Sequence, residues 1–394
     1  MAAAFPVLTP MDSLLNWRKE FPILAHTTYM ISHSLGAMPR RAADSMQEYA
    51  DTWATRGIRA WEEGWWDMPV TVGNLIGSII GAGEGEVVMQ QNVSICQWIV
   101  TSCLDWSGLR NRLVTDGLNF PSNDYIYHRL EKQGAEVVTV ASADGMTLPT
   151  EAMLAAIDER TRLVSVSHVA FRSSWVQDLA AITRRAHEVG AMVVADLYQS
   201  AGILPVDVRA LGVDFATGGS VKWLCGGPGA GYLYVRRDLW PQLEPAATGW
   251  MAHREPFGFE AGPINYAPDA FRFLNGTPGV PALYAAKSGY EIINEIGVEA
   301  IRDKSVRQTS YLMDLAIESG FPVRTPRNPS QRGGVVILDV PEGKAVTKEL
   351  ARREILVDYR PAAGIRIAPH FYTTDDEIAH TVGAIREIVD AGHS

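Results

Sequence analysis

Between residues 85 and 235, short runs of β-branched and other apolar residues alternate with stretches whose apolar positions recur at helical spacing. Strands are expected at 86–90 (EVVMQ), 112–116 (RLVTD), 136–140 (EVVTV), 162–168 (RLVSVSH), 191–196 (AMVVAD), 214–218 (DFATG) and 231–235 (GYLYV). Helical patterns such as PTEAMLAAIDE and DLAAITRRAHEVG lie between several of them, the second closing on a glycine as helices often do. This alternation predicts an α/β fold with a mainly parallel seven-stranded sheet and helices on both faces. Residues 279–320 then read as long helix with one break, expected to leave the sheet for a second unit. The last stretch mixes strand-like GGVVILDV and GIRIAP with helical KAVTKELARRE and TDDEIAHTVGAIREIVDAG, a smaller α+β C-terminal domain. The expected division is an N-terminal segment at 1–45 packing on the small domain, a large α/β domain at 46–280, and the small domain at 281–394. The tryptophan-rich WEEGWWDMP (61–69) is expected to run from helix to loop, lining the site or a dimer interface, with its two glutamates solvated.

Composition narrows the class. A chain of 394 residues with 47% hydrophobic content buries one large core and a smaller second one. A net charge of -10 and the absence of any Lys/Arg block argue against a nucleic-acid partner. No stretch of about 18 apolar residues is present, so no membrane span is expected. Three cysteines are too few for a disulfide framework, which points to a reducing cytoplasm. The start, MAAAFPVLTPMD, lacks the basic and apolar regions of a signal peptide. The nine histidines form no HExxH or paired spacing, so no metal site is expected. GGPGAG is no nucleotide loop: no Gly-Lys-Ser/Thr follows, and GxGxxG breaks at Tyr232.

In open α/β sheets the chemistry collects beyond the C-terminal ends of the strands. Those ends carry QNVSICQW, GLNFPSND, VAFRSSW, Asp196 with LYQS, and GSVK. Lys222 follows Asp196 by 26 residues, between two pairs of glycines and beside apolar Val221 and Trp223. A desolvated lysine forms a Schiff base with an aldehyde cofactor. Pyridoxal 5′-phosphate also requires a carboxylate for its pyridine nitrogen, donors for its phosphate and a flat apolar neighbour for its ring. Lys222, Asp196, the hydroxyls of Ser94 and Ser173 or Ser220, and Phe120 meet those demands. Each has a plainer alternative: Phe120 as core, Arg366 as a structural ion-pair partner, Trp250 and His253 as packing. Cys96 and Cys225 read as small buried apolar residues.

VVADLYQSAGILPVDVRALGVDFATGGSVKWLCGGPGAGYLYV resembles the fold type I pyridoxal-phosphate enzymes of the aminotransferase class V family, and within them is most similar to kynureninases. YMISHSLGAMPR, GLNFPSNDY, TGWMAHREPFGFE and FRFLNGTPGVPALYAA extend the likeness over roughly residues 20 to 390. The resemblance implies that Lys222 holds the cofactor aldehyde and moves the Cα proton, that Asp196 pairs with the pyridinium nitrogen, and that Gln199 sits beside the phenolic oxygen. It implies Phe120 stacked on the ring, with Val93 and Ser94 as phosphate donors. Thr277 is expected to reach the phosphate of a neighbouring subunit, hence a homodimer with shared active sites. Trp250 and Asn275 would stand on the phosphate and substrate sides, with His33 and Ser34 toward the substrate. Arg366 would grip the α-carboxylate of a small amino-acid substrate bidentately.

The chain departs from kynureninases at three places. Val221 replaces the tyrosine before the lysine, Asn123 replaces an aspartate after FPS, and KYLNGGPG has become KWLCGGPG; Cys96 also stands for a common asparagine. The expected function is kynureninase-like cleavage of a bond at Cβ. A class V aminotransferase and a C–S β-lyase stay open as alternatives. A cysteine desulfurase would need a cysteine after Cys225, which this chain lacks, and a non-catalytic relative would not need both Lys222 and Asp196.

Overall fold

Strands covered on both faces need apolar residues at consecutive positions, and FATGG and GYLYV are buried throughout. The computed structural model describes residues 12–392, so most of MAAAFPVLTPMD lies outside the described residues. Strand β1 (Thr28–Tyr29) and helices α1 (Arg40–Arg56) and α2 (Met68–Ile80) come first. The sheet strands follow in step with their helices. They are β2 (Val87–Gln90) with α3 (Val93–Ser102), β3 (Arg112–Asp116) with α4 (Pro121–Leu130), and β4 (Glu136–Val140) with α5 (Thr150–Ala156). Then come β5 (Thr161–Ser167) with α6 (Leu179–Glu188), β6 (Met192–Asp196) with the short α7 (Val208–Leu211), β7 (Phe215–Gly219) and β8 (Gly231–Val235). The seven strands stand in the order β2-β8-β7-β6-β5-β3-β4, parallel except for β8, which is antiparallel to both neighbours. All seven expected strands are present, with ends that differ by one residue at most.

The 279–320 run is two helices, α8 (Val280–Ile296) and α9 (Val298–Glu318), broken at Gly297, whose φ of 85° lies outside the helical region. Helix α8 does not leave the sheet unit: it packs on α1 and α2, with Ser45 and Ser288 sharing a hydrogen bond of 3.0 Å and Lys287 pairing with Glu48. We therefore propose the boundary of the small domain at Gly297 instead of 281. Beyond it, β9 (Val336–Leu338), α10 (Gly343–Arg352), β10 (Ile355–Leu356), β11 (Asp358–Arg360), β12 (Gly364–Ile367) and α11 (Asp375–Gly392) enclose a separate apolar core around Leu312, Ile365 and Ile385. The N-terminal segment is fastened to this unit: β1 pairs with β10, Arg18 with Glu377 at 2.8 Å, and Asp12 with Lys304 at 2.8 Å. Among the described residues no helix is long and apolar enough to cross a membrane.

The 220–230 loop joining β7 to β8 carries Lys222, and two glycines grip it. The Gly36 amide donates to the Val221 carbonyl at 2.7 Å. A Cβ at Gly36 would overlap the Lys222 carbonyl oxygen, and one at Gly289, inside α8, would overlap the Leu224 carbonyl oxygen. Helix propensity alone predicts that Gly289→Ala stabilises by about 1 kcal/mol. The backbone overlap reverses the sign: a loss of about 3 kcal/mol or more is expected, read as a lowered thermal midpoint.

Candidate active site

A cavity of about 350 Å³ opens at the carboxyl ends of the parallel strands. Asn92, Val93 and Ser94 enter it after β2, Phe120, Ser122 and Asn123 after β3, and Asp196, Tyr198 and Gln199 after β6. Lys222 follows β7, Arg360 and Arg366 come from the small-domain strands, and His33 and Ser34 from the N-terminal segment.

The Lys222 Nζ lies 4.2 Å from the Tyr198 ring centre and 6.0 Å from that of Phe120. It has no hydrogen-bond or ion-pair partner among the described residues. Burial pulls the amine down to about 8, with Asp196 opposing the shift and Arg366 and Arg360 adding to it. Asp196 is fixed at both oxygens: Oδ1 accepts the Tyr198 backbone N–H at 2.9 Å, and Oδ2 accepts Asn123 Nδ2 at 3.0 Å. Burial raises its carboxyl, while those two bonds and Lys222 draw it back. An aspartate at 123 would set a like charge against Asp196; the amide donates instead.

Gln199 is oriented at both ends, Nε2 donating to the His33 carbonyl and Oε1 accepting from Trp223 Nε1, each at 3.1 Å. One Nε2 hydrogen is left over. The start of α3 faces the cavity as an anion seat. Asn92 caps it by accepting the Ile95 N–H at 3.1 Å, and Val93 and Ser94 occupy its first turn, where helix N–H groups lack internal partners. On the small-domain wall, burial and the neighbouring Arg366 hold His33 down to about 4, against the pull of Asp358. Burial would raise Asp358, but bonds from His33 and Arg366 hold it far below the usual carboxylate range.

Lys222, Asp196, Gln199, Phe120, Val93, Ser94, Arg366, His33 and Ser34 are thus brought to one cavity. Ser173, Ser220, Trp250, Asn275 and Thr277 are not. The Ser220 hydroxyl points away from the cavity side of the turn, donating to the Ala230 carbonyl at 2.7 Å and bonding Tyr290. Ser173 is buried and accepts the Trp175 N–H at 3.3 Å. Trp250 belongs to an aromatic group with Trp66 and Phe257, Asn275 accepts the Met251 N–H on its carbonyl, and Thr277 is exposed. Trp61 and Trp65 pack edge to face at 5.6 Å, and neither they nor Trp66 line the cavity. His253 accepts the Glu255 N–H in a local turn. The sequence reading missed Tyr198, Ser122, Arg360 and Asp358. Tyr198 lay in plain view between Asp196 and Gln199, whereas Arg360 and Asp358 carry no signal apart from their strand pairing.

Residues 29–373 match the family model described as aminotransferase class-V. A kynureninase of Pseudomonas fluorescens is 31% identical over 398 residues, covering 97% of this chain and 94% of that protein. An uncharacterized aminotransferase, YcbU, of Bacillus subtilis (strain 168) is 32% identical over 370 residues, covering 94% and 96%. Among solved structures, an apo cysteine desulfurase from Thermococcus onnurineus NA1 has a TM-score of 0.83 at 23% identity, covering 99% of this chain and 100% of that one. The cystine C-S lyase C-DES, in complex with its product cysteine persulfide, has a TM-score of 0.84 at 21% identity, covering 93% and 99%. At such identities the likeness establishes a shared fold.

The Lys222 environment predicts a pH signature in the cofactor-free protein. The folded amine releases its proton near 8 and the unfolded one near 10.5, so the unfolded chain binds the extra proton between those values. Stability therefore rises with pH through that window, and the penalty is constant below it. Lys222→Met is expected to melt higher than the wild type at pH 7, with the gap closing between about pH 8 and 10.5 in thermal scans.

Proposed function

The chain belongs to the aminotransferase class V family, and on that footing we propose that it is a pyridoxal 5′-phosphate-dependent enzyme cleaving a bond at Cβ of an amino acid in the manner of a kynureninase. One observation carries the reading: an unpartnered, desolvated Lys222 amine shares a single cavity with the doubly bonded Asp196 carboxylate and with Arg366. The 31% identity to a kynureninase over 97% of the chain supports the same choice.

The donor set fits the cofactor. The first turn of α3 with Ser94 suits a phosphate, Asp196 suits a ring nitrogen, Gln199 has a hydrogen left for a phenolic oxygen, and Phe120 and Tyr198 offer flat faces. When bound, the cofactor supplies a protonated pyridine ring that takes up the electron pair left at Cα. Asp196, held by Tyr198 and Asn123, would face the ring nitrogen as its carboxyl partner. Lys222 Nζ, with a pKa near 8, has a substantial neutral fraction just above neutrality and takes the Cα proton. Arg366 orients the substrate carboxylate, and the aromatic walls limit water. Trp250, Asn275 and Thr277 lie outside their own cavity, which supports a homodimer in which they serve the neighbouring site; the three free cysteines support a cytoplasmic location.

Val221 favours a second reading. Its side chain has no hydroxyl, and its carbonyl is engaged by Gly36, so no proton carrier stands beside the lysine on that side. C–S β-elimination, which needs no hydration of a γ-carbonyl, then becomes the competing reaction.

The purified protein is expected to show the visible absorbance band of a lysine-bound cofactor, and Lys222→Ala to lose it along with a factor of about 10³ or more in turnover. Incubation with L-kynurenine should release alanine and anthranilate. Pyruvate from cysteine conjugates without anthranilate would establish the second reading, and amino transfer from alanine to an oxo-acid a third. Ser94→Ala is expected to weaken cofactor binding about tenfold, whereas Ser220→Ala leaves it unchanged and costs about 1–2 kcal/mol of stability, measured by cofactor titration and thermal melting.

A further inference from the structure

The β11–β12 hairpin carries more charge than a single carboxylate-binding arginine requires. In its register Asp358 stands opposite Arg366, and Arg360 stands opposite Gly364. Strand alternation puts Asp358 and Arg360 on one face, and antiparallel pairing puts Arg366 on that face too. Gly364, at φ 126°, contributes no side chain beside Arg360.

Asp358 is the hub. Arg366 meets it side-on, Nε to Oδ1 at 2.7 Å and Nη2 to Oδ2. Arg360 Nη2 reaches Oδ2 at 3.2 Å, and His33 Nε2 reaches Oδ1 at 3.2 Å. Of the five N–H hydrogens on Arg366, two go to Asp358 and one to the Phe171 carbonyl, leaving two at the terminal Nη1–Nη2 edge. Arg360 pairs with Asp358 through charge and spends one hydrogen, on the Tyr359 carbonyl, leaving four. Both arginines line the cavity. Two cations against one anion leave the group with a single positive charge.

We propose that Arg360 and Arg366, bridged by Asp358, form one two-armed seat for a single substrate carboxylate, with Arg360 as the second arm and Asp358 and His33 as positioning residues. This rests on the amino-acid reading above and extends it to a residue with no assigned role and to a limit on charge. One carboxylate neutralises the seat, and a second anion on the substrate side chain would find no counter-charge in it. The seat thus selects amino acids whose side chains carry no negative charge.

The test uses the cofactor-loaded enzyme, titrated with L-alanine, L-alaninamide and L-aspartate while the cofactor absorbance is followed. The wild type should prefer alanine to alaninamide and bind aspartate no more tightly than alanine. Arg360→Gln should weaken alanine about tenfold and leave alaninamide within about twofold, with Arg360→Lys in between. Asp358→Asn should lose the preference for alanine over alaninamide while alaninamide binding is kept. Unchanged alanine binding in Arg360→Gln would overturn the proposal, and so would an equal loss for alanine and alaninamide. Aspartate binding that exceeds alanine's and falls to its level in Arg360→Gln would overturn the one-anion limit. A wild type with the cofactor band but no preference for alanine overturns the seat alone; absence of the band overturns the cofactor reading and the seat together.

Discussion

The placement of Lys222 depends on a contact between bare backbones. The turn at 222–225 is pressed from one side by Gly36 and from the other by Gly289, and neither position has room for a Cβ. One glycine comes from the N-terminal segment and the other from α8, so three distant parts of the chain meet at the backbone that carries Lys222. A flexible side chain is thereby given a fixed root. The same contact joins the large and small units, because the segment that carries Gly36 also carries β1, which pairs with β10.

Around that root both carboxylates are paired, while Lys222 has no hydrogen-bond or ion-pair partner among the described residues. Asp196 is satisfied by Tyr198 and Asn123, and Asp358 by His33, Arg360 and Arg366. Hydrogen bonds at each carboxylate offset the cost of holding charge out of water. Lys222 has an aromatic face where a partner would be, and its burial, with Arg366 and Arg360 nearby, is why its proton is loosely held. The amine is thus left unpaired beside carboxylates that are each held by several partners.

The sheet was legible because buried strands write themselves as consecutive β-branched residues, and each of the seven runs became a strand. The Asp196–Lys222 block was legible for a related reason: both residues fall just past strand ends. Ser220 was misplaced because adjacency in sequence says nothing about which side of a turn a hydroxyl takes; it faces Tyr290. The proposed boundary at Gly297 was not legible because the apolar stripe of α8 fits any partner, and only its packing on α1 and α2 selects one. The Asp358 hub was invisible, depending on a hairpin register and on His33, which lies 325 residues away.

That span in sequence has a consequence for biosynthesis. His33 is made well before Asp358 and Arg366, which follow it by more than 300 residues. A nascent chain with its sheet complete and Lys222 in place still lacks the small-domain wall of the cavity. At that stage Lys222 would face a cavity whose small-domain wall is still missing, so the cavity is complete only once Asp358 and Arg366 have been made and packed.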